Sequence, residues 1–330
     1  MKRGYMNWDR ELLPESALKQ RRARLLQLLK EKNLDAIVVY GDVINADELV
    51  DCSNYGPYWC NCAAVITADG DYQLVTGHNA RVNPWLMEMT GLPDEKIRPA
   101  GMKVPAKTAE LVKSLIPGGT VGLIGKYTPA DIGKALEKAG FDVCYLGTDS
   151  DKLLANRDQA YLDTVRKGHA LMEEALERAL ASTAGMSIKQ SCACIEYELR
   201  NAGAMDVFIY AGTEGGAFTL PEEKFADSWN LYVNVQYLGV WICFACPVGK
   251  NTDEYAVLDA RAEQLKPGTM PADIGVHTTI LSDSVSSLNH KPEALEEGQV
   301  FSLYHQSEQG AYTEKMYCMT VEGAQPIGKR

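Results

Sequence analysis

The chain has 330 residues, 46% of them apolar and 23% charged, with a formal net charge of −11. That length and balance fit a globular protein of about two domains. The acidic excess, unrelieved by any Lys/Arg cluster, argues against a nucleic-acid partner. No stretch approaches the roughly 18 apolar residues of a membrane span. The first residues carry no apolar leader, so neither a membrane partner nor secretion is expected and a cytoplasmic location is.

Residues 18–32 set Leu25, Leu26, Leu28 and Leu29 among many charges, one apolar stripe on a helix closed by Asn33. Residues 35–40 read as a buried strand. Residues 63–68 and 72–76 read as two strands joined at Asp69-Gly70, a hairpin signal. A helix over 107–115 stops at Pro117-Gly118-Gly119. A strand over 120–124, a helix over 129–139 ended by Gly140, and a strand over 142–146 follow. The alternation is α/β, with a mixed sheet because of the hairpin. Neither GxGxxG nor GxxxxGK[ST] occurs, so the alternation carries no nucleotide site. His78, just after a strand, reads as a surface histidine, with a loop ligand as the alternative. Tyr55, Tyr58 and Trp59, with Cys60 and Cys62, form an aromatic loop that either walls a small-molecule pocket or simply packs.

Near residue 150 the chain turns polar, which divides it into domains 1–151 and 152–330. A long helix over 157–182 puts Val165, His169, Met172, Leu176 and Leu180 on one face, with His169 a core histidine. A second helix starts at the N-cap Ser187 and ends at Gly203. Strands over 231–237 and 240–245 flank a turn at Leu238-Gly239. Helices over 252–264 and 271–281 are separated by Lys266-Pro267-Gly268, and strands over 299–304 and 313–321 close the chain. The nine cysteines are odd in number and scattered, so reduced thiols are expected. The close pairs Cys60/Cys62, Cys192/Cys194 and Cys243/Cys246 lack the spacing of a zinc knuckle. Cys243 and Cys246, three apart on a strand, point to opposite faces, which disfavours a redox pair.

The order of these features resembles the creatinase/aminopeptidase P family. The pieces that carry the resemblance are the helix and strand over 21–40, the paired helices over 157–203, Leu265-Lys266-Pro267-Gly268 before Asp273-Ile274, the run 295–303, and Glu314 nine residues before Gly323. The resemblance implies an α+β protein, a creatinase-like α/β domain followed by a "pita-bread" domain, and a homodimer. In catalytic members two Asp, one His and two Glu hold two divalent metals that activate water. Hard oxygen ligands suit that task. Carried over position by position, the first Asp falls on Asn234 and the second on Cys243, with Trp241 and Ala245 as alternatives on the same strand face. The His segment is missing from 281–290, where His290 is the remnant of a His-Glu-x-Pro element. The first Glu falls on Tyr304, with His305 next to it, and only the last Glu survives, as Glu314. One carboxylate cannot hold two hard cations, so the resemblance implies that the metal pair is absent and no cofactor is expected. Creatinase is metal-free and uses a histidine base, but here Thr219 or a neighbour occupies its place.

Three readings of the remaining residues stand open. In the first, the site is a repurposed enzyme for a C–N bond of a small nitrogen compound. It is either a Cys243–His305–Glu314 arrangement with Tyr304 as donor, or acid–base chemistry by Glu314 with Tyr304 or His305. Asn234, Thr219, Trp241 and His290 are then the substrate contacts. In the second, Cys243, His305 and Glu314 hold one soft metal, which strand parity opposes. In the third, the chain binds a small ligand or partner without catalysis. A misplaced strand registration would instead return an Xaa-Pro peptidase.

Overall fold

A computed structural model of the chain describes residues 7–125, 127–155, 157–212, 221–249, 254–270, 278–280, 294–308 and 310–330. The chain divides into two units, residues 2–155 and 156–330. Among the described residues no helix is long and apolar enough to cross a membrane, and all nine cysteines are free thiols.

The first unit opens with α1 (Glu15–Glu31), which buries Leu18, Leu25, Leu28 and Leu29. Asn33, at φ 54, turns the chain into β1 (Ala36–Gly41). Then come α2 (Asp47–Ser53), β2 (Cys62–Thr67), β3 (Tyr72–Thr76), α3 (Asn83–Thr90) and β4 (Ile97–Pro99). After them come α4 (Val104–Leu115), β5 (Thr120–Ile124), α5 (Ala130–Lys138), β6 (Asp142–Tyr145) and α6 (Gly147–Ala155). The sheet order is β4-β3-β2-β1-β5-β6. β1 runs antiparallel to β2 and parallel to β5, so the sheet is mixed. Both faces of β1 are covered: Ile37 and Val39 pack with the α1 leucines, Val38 with Leu111 and Val112 of α4. A strand buried on both faces has no reason to alternate, which explains its continuous apolar run. The short helices α2 and α3 give too few turns for a readable period. The polar stretch near 150, expected to lead into the long helix, lies in α6.

His78 is not the surface residue the sequence suggests. It is fully buried, its Nδ1 accepts a hydrogen bond from Trp59 Nε1 (3.0 Å), and the rings of Tyr55, Tyr58 and Trp85 surround it.

The second unit begins with α7 (Gln159–Ala181) and α8 (Ile188–Asn201), which starts at a reciprocal Ser187/Gln190 capping box. β7 (Asp206–Gly212), β8 (Trp229–Tyr237), β9 (Val240–Val248), α9 (Glu254–Ala262), β10 (Thr278–Ile280), β11 (Val300–Gln306), β12 (Tyr312–Thr320) and β13 (Gly323–Pro326) follow. The sheet order is β10-β11-β12-β9-β8-β7, with β13 also on β12. The helix expected over 271–281 is not formed at its C-terminal end. Residues 278–280 are the strand β10, paired with β11; 271–277 and 281 lie outside the described residues. Thr278-Thr279-Ile280 is a β-branched run whose propensity favours the sheet edge.

Two features pin this sheet. The β8–β9 turn holds Leu238 at φ 44 and Gly239 at φ 87, two left-handed residues in a two-residue loop. Leucine resists that conformation, so the surrounding pairing must hold it there. The second feature is Gly168 of α7, where a Cβ would meet Tyr237 Cδ1 and Ile242 Cδ1 at 2.7 Å. The helix therefore lies directly on the hairpin. His169 beside it is buried against Phe244, ring centroids 4.7 Å apart, a core histidine whose burial pulls its pKa down to about 4.

Candidate functional site

Strand alternation sorts the second sheet into two faces. One face is apolar: Leu231, Val233, Val235, Ile242, Phe244 and Cys246 pack on Met172 and Leu176 of α7 and Ile195 and Leu199 of α8. Phe301, Leu303, Tyr317 and Met319 continue it under Leu258 of α9. The other face is polar and aromatic. Across β7, β8, β9, β12 and β11 one row reads Tyr210, Tyr232, Ala245, Glu314 and Tyr304, each registered directly opposite the next. A second row reads Phe208, Asn234 and Cys243.

Glu314 is the centre of this face. It is 4% exposed and accepts a hydrogen bond from the Ser302 hydroxyl on β11. Burial lifts its carboxyl from an ordinary 4.5 to about 7, with the Ser302 bond pulling the other way. It is therefore a group that can take or give a proton near neutrality. Three phenols of this face respond to its charge. Burial first, then Glu314, raises the pKa of Tyr304 and of Tyr312. Tyr232 is raised by burial, then by Cys243 and Glu314. The rings of Tyr304 and Tyr312 stack at 5.6 Å and 14°.

Beside Glu314, three neutral side chains satisfy one another. Cys243 Sγ donates to Asn234 Oδ1 (2.5 Å), Asn234 Nδ2 donates to Tyr232 Oη (3.3 Å), and the Tyr232 hydroxyl is hydrogen-bonded in turn to Cys243. Burial holds the Cys243 thiol well above its ordinary value, and Glu314 adds to the shift. A buried thiol that donates its proton to an amide is not a ready nucleophile. Tyr232 escaped the sequence reading, although it lies two residues before Asn234 and so on the same strand face.

The expected site residues separate on this frame. Asn234, Cys243, Tyr304 and Glu314 share the face. Trp241 shares it too, but opposite Gln236 at the far end of the hairpin, its ring 5.6 Å from Phe208. His305 pairs with Thr313 on the helix-covered face. As the neighbour of Tyr304 on a continuous strand it points away from Glu314, so neither the Cys–His–acid arrangement nor the single-metal set can form there. Thr219 and His290 lie outside the described residues.

A pair of divalent cations does not suit this donor set. The four positions offer an amide engaged by a thiol, a protonated thiol, a phenol and one carboxyl group. Among the described residues no group of three or more His, Cys, Asp or Glu side chains is arranged to hold a metal ion.

No family model matches the chain, and no curated protein matches it in sequence. Solved structures do. An Xaa-Pro dipeptidase from Bacillus anthracis aligns with a TM-score of 0.73 at 14% identity, covering 95% of this chain and 98% of its own. A prolidase from Pyrococcus furiosus gives 0.73 at 14%, covering 93% and 99%. A dipeptidase from Mycobacterium ulcerans gives 0.69 at 17%, covering 98% of each chain. At such identities the likeness establishes the fold and leaves the chemistry to the site.

Proposed function

We propose that this chain, whose fold is the two-domain pita-bread fold of creatinase and the Xaa-Pro peptidases, is a hydrolase that cleaves a C–N bond of a small nitrogen compound without a metal pair. The observation that carries this reading is Glu314, a buried carboxyl poised near pH 7 whose described neighbours Ser302, Tyr232, Asn234, Cys243 and Tyr304 are neutral. In its ionised form Glu314 takes a proton from a water attacking the carbonyl- or amidine-type carbon. The Tyr304 phenol donates a hydrogen bond to the heteroatom that gains charge. Glu314 then returns the proton to the leaving nitrogen as the C–N bond breaks. Asn234, Tyr232 and Cys243 are the neutral wall that keeps the carboxyl dry.

A second reading, an Xaa-Pro peptidase, is favoured by what the structural relatives are called. One experiment divides the two. The purified protein is analysed for metals, then assayed on ureido acids, guanidino acids, simple amides and Xaa-Pro dipeptides, with and without EDTA. Metal-free protein with EDTA-resistant turnover that is lost in Glu314→Gln supports the first reading. Two divalent ions per chain, or EDTA-sensitive cleavage of Xaa-Pro dipeptides, replaces it with the second.

A further inference from the structure

Trp59 is 60% exposed, yet the one polar atom of its side chain is turned inward. An indole N–H only donates, so the His78 Nδ1 it meets at 3.0 Å must carry a lone pair. The imidazole is therefore neutral, with its proton on Nε2. A tight frame holds the two rings in register. Gly77 N donates to Asn61 O (2.9 Å), and a Cβ on Gly77 would meet Cys60 Cβ at 2.7 Å, so residues 60–61 lie directly against the end of β3. His78 N donates to Thr76 Oγ1 (3.2 Å), which anchors the imidazole among the rings of Tyr55, Tyr58 and Trp85.

Acid sets two donors face to face. A proton taken from solvent by His78 Nδ1 turns that atom into a donor, and it can no longer accept from the indole. The titratable side chains that face the imidazole are the Tyr55 and Tyr58 phenols and the Cys60 thiol. Phenols and thiols bear no charge in mildly acidic solution. Arg81 and Glu88, which flank Trp85 along the chain, and Lys103, on the turn beside Gly77, are exposed. Burial lowers the imidazole's pKa below its ordinary 6.5, because the charged form wants water. Of the two rings, Trp59 is the one that can move to admit it. His78 is fully buried, whereas most of Trp59 already faces solvent.

We propose that Trp59 is a flap latched over His78, and that protonation of His78 Nδ1 releases it. The flap is closed in neutral solution and open in acid. Indole and proton compete for one lone pair, so each weakens the hold of the other. Removing the indole donor raises the pKa of His78, and replacing His78 by an acceptor that cannot titrate keeps the flap closed. The device belongs to the first unit alone and is independent of the hydrolase reading.

The test is fluorine NMR of the full chain labelled with fluorotryptophan, titrated from pH 8 to pH 4. The chain has five tryptophans, and Trp59→Phe identifies the Trp59 signal. In the wild type that signal is expected to pass through one transition below pH 6.5, with a larger solvent isotope shift on the acid side. His78→Gln keeps an acceptor that does not titrate, so the transition is expected to vanish with Trp59 in its high-pH position. His78→Leu removes the acceptor, and Trp59 is expected in its low-pH position throughout. Should these changes at the buried ring prevent folding, Trp59→Phe at the exposed one carries the test. The His78 ring signal, assigned through its contact with Tyr58, should then titrate higher by about half a pH unit or more. A Trp59 signal that ignores pH, a transition that survives in His78→Gln, or a His78 that titrates no higher in Trp59→Phe would each overturn the proposal. So would a Trp59 transition that coincides with loss of the circular dichroism signal, which would mark unfolding of the chain.

Discussion

Glu314 and Lys315 are neighbours on β12 and live in opposite worlds. Lys315 faces α9, where Asp259 accepts from it and also from the Tyr317 hydroxyl, both at 2.9 Å. Glu314 faces the other way, accepts a hydrogen bond from the Ser302 hydroxyl, and is pushed up to about 7 by its burial. One side of the strand is arranged for stability, with each charge met and each apolar side chain packed. The other side buries a carboxyl on a face where the described strands place no Lys, Arg or His. Sites that do chemistry or bind ligands commonly violate the rules the rest of the fold obeys.

The sharpest way to separate the two faces is to cut into the packed one. Ile242→Ala, on β9 beneath α7, is expected to cost about 2–5 kcal/mol by the cavity it leaves. Denaturant unfolding should show a lower midpoint at unchanged slope.

Glu314→Gln should act in the opposite direction. The folded carboxyl keeps its proton up to about pH 7, whereas an ordinary one releases it near 4.5. Between those values the folded state binds more protons than the unfolded, so stability falls as pH rises through that window and levels off above it. The Gln variant should lose that slope and, at pH 8, be more stable than the wild type by up to about 3 kcal/mol. Urea unfolding at pH 5 and pH 8 measures both. A wild type equally stable at the two pH values, after correction for the remaining titrating groups, would place Glu314 back among ordinary carboxylates.

Gly168→Ala sharpens the contrast through the backbone. In a helix interior this change ordinarily stabilises by about 1 kcal/mol. Here the new Cβ meets Tyr237 and Ile242 at 2.7 Å, so a net loss of about 1–3 kcal/mol is expected in thermal unfolding.

The smallest effect is a rate. Cys243 is buried and hydrogen-bonded, whereas Cys60, Cys144 and Cys194 are partly exposed. In the folded protein at pH 8, iodoacetamide followed by peptide mapping should label those three before Cys243. Cys243 reacting first would revive a nucleophilic role for it.

Much of this molecule is legible without coordinates. The leucine stripe of α1, the capping box of α8 and the Leu238-Gly239 turn are local signals, read from neighbours a few residues apart, and each element forms where its signal stands. That 234, 243 and 304 carry Asn, Cys and Tyr is equally read from the sequence alone. Other features depend on partners distant in sequence. The strand at 278–280 exists because β11 offers an edge to pair with, and His78 is buried because Trp59 and Trp85 close over it. That Tyr232 joins Asn234 and Cys243, that His305 turns away, and that Glu314 shares a row with Tyr232 and Tyr304 follow from strand registration. Registration is set by pairing across the sheet, and a slip of a single residue would exchange the two faces entirely.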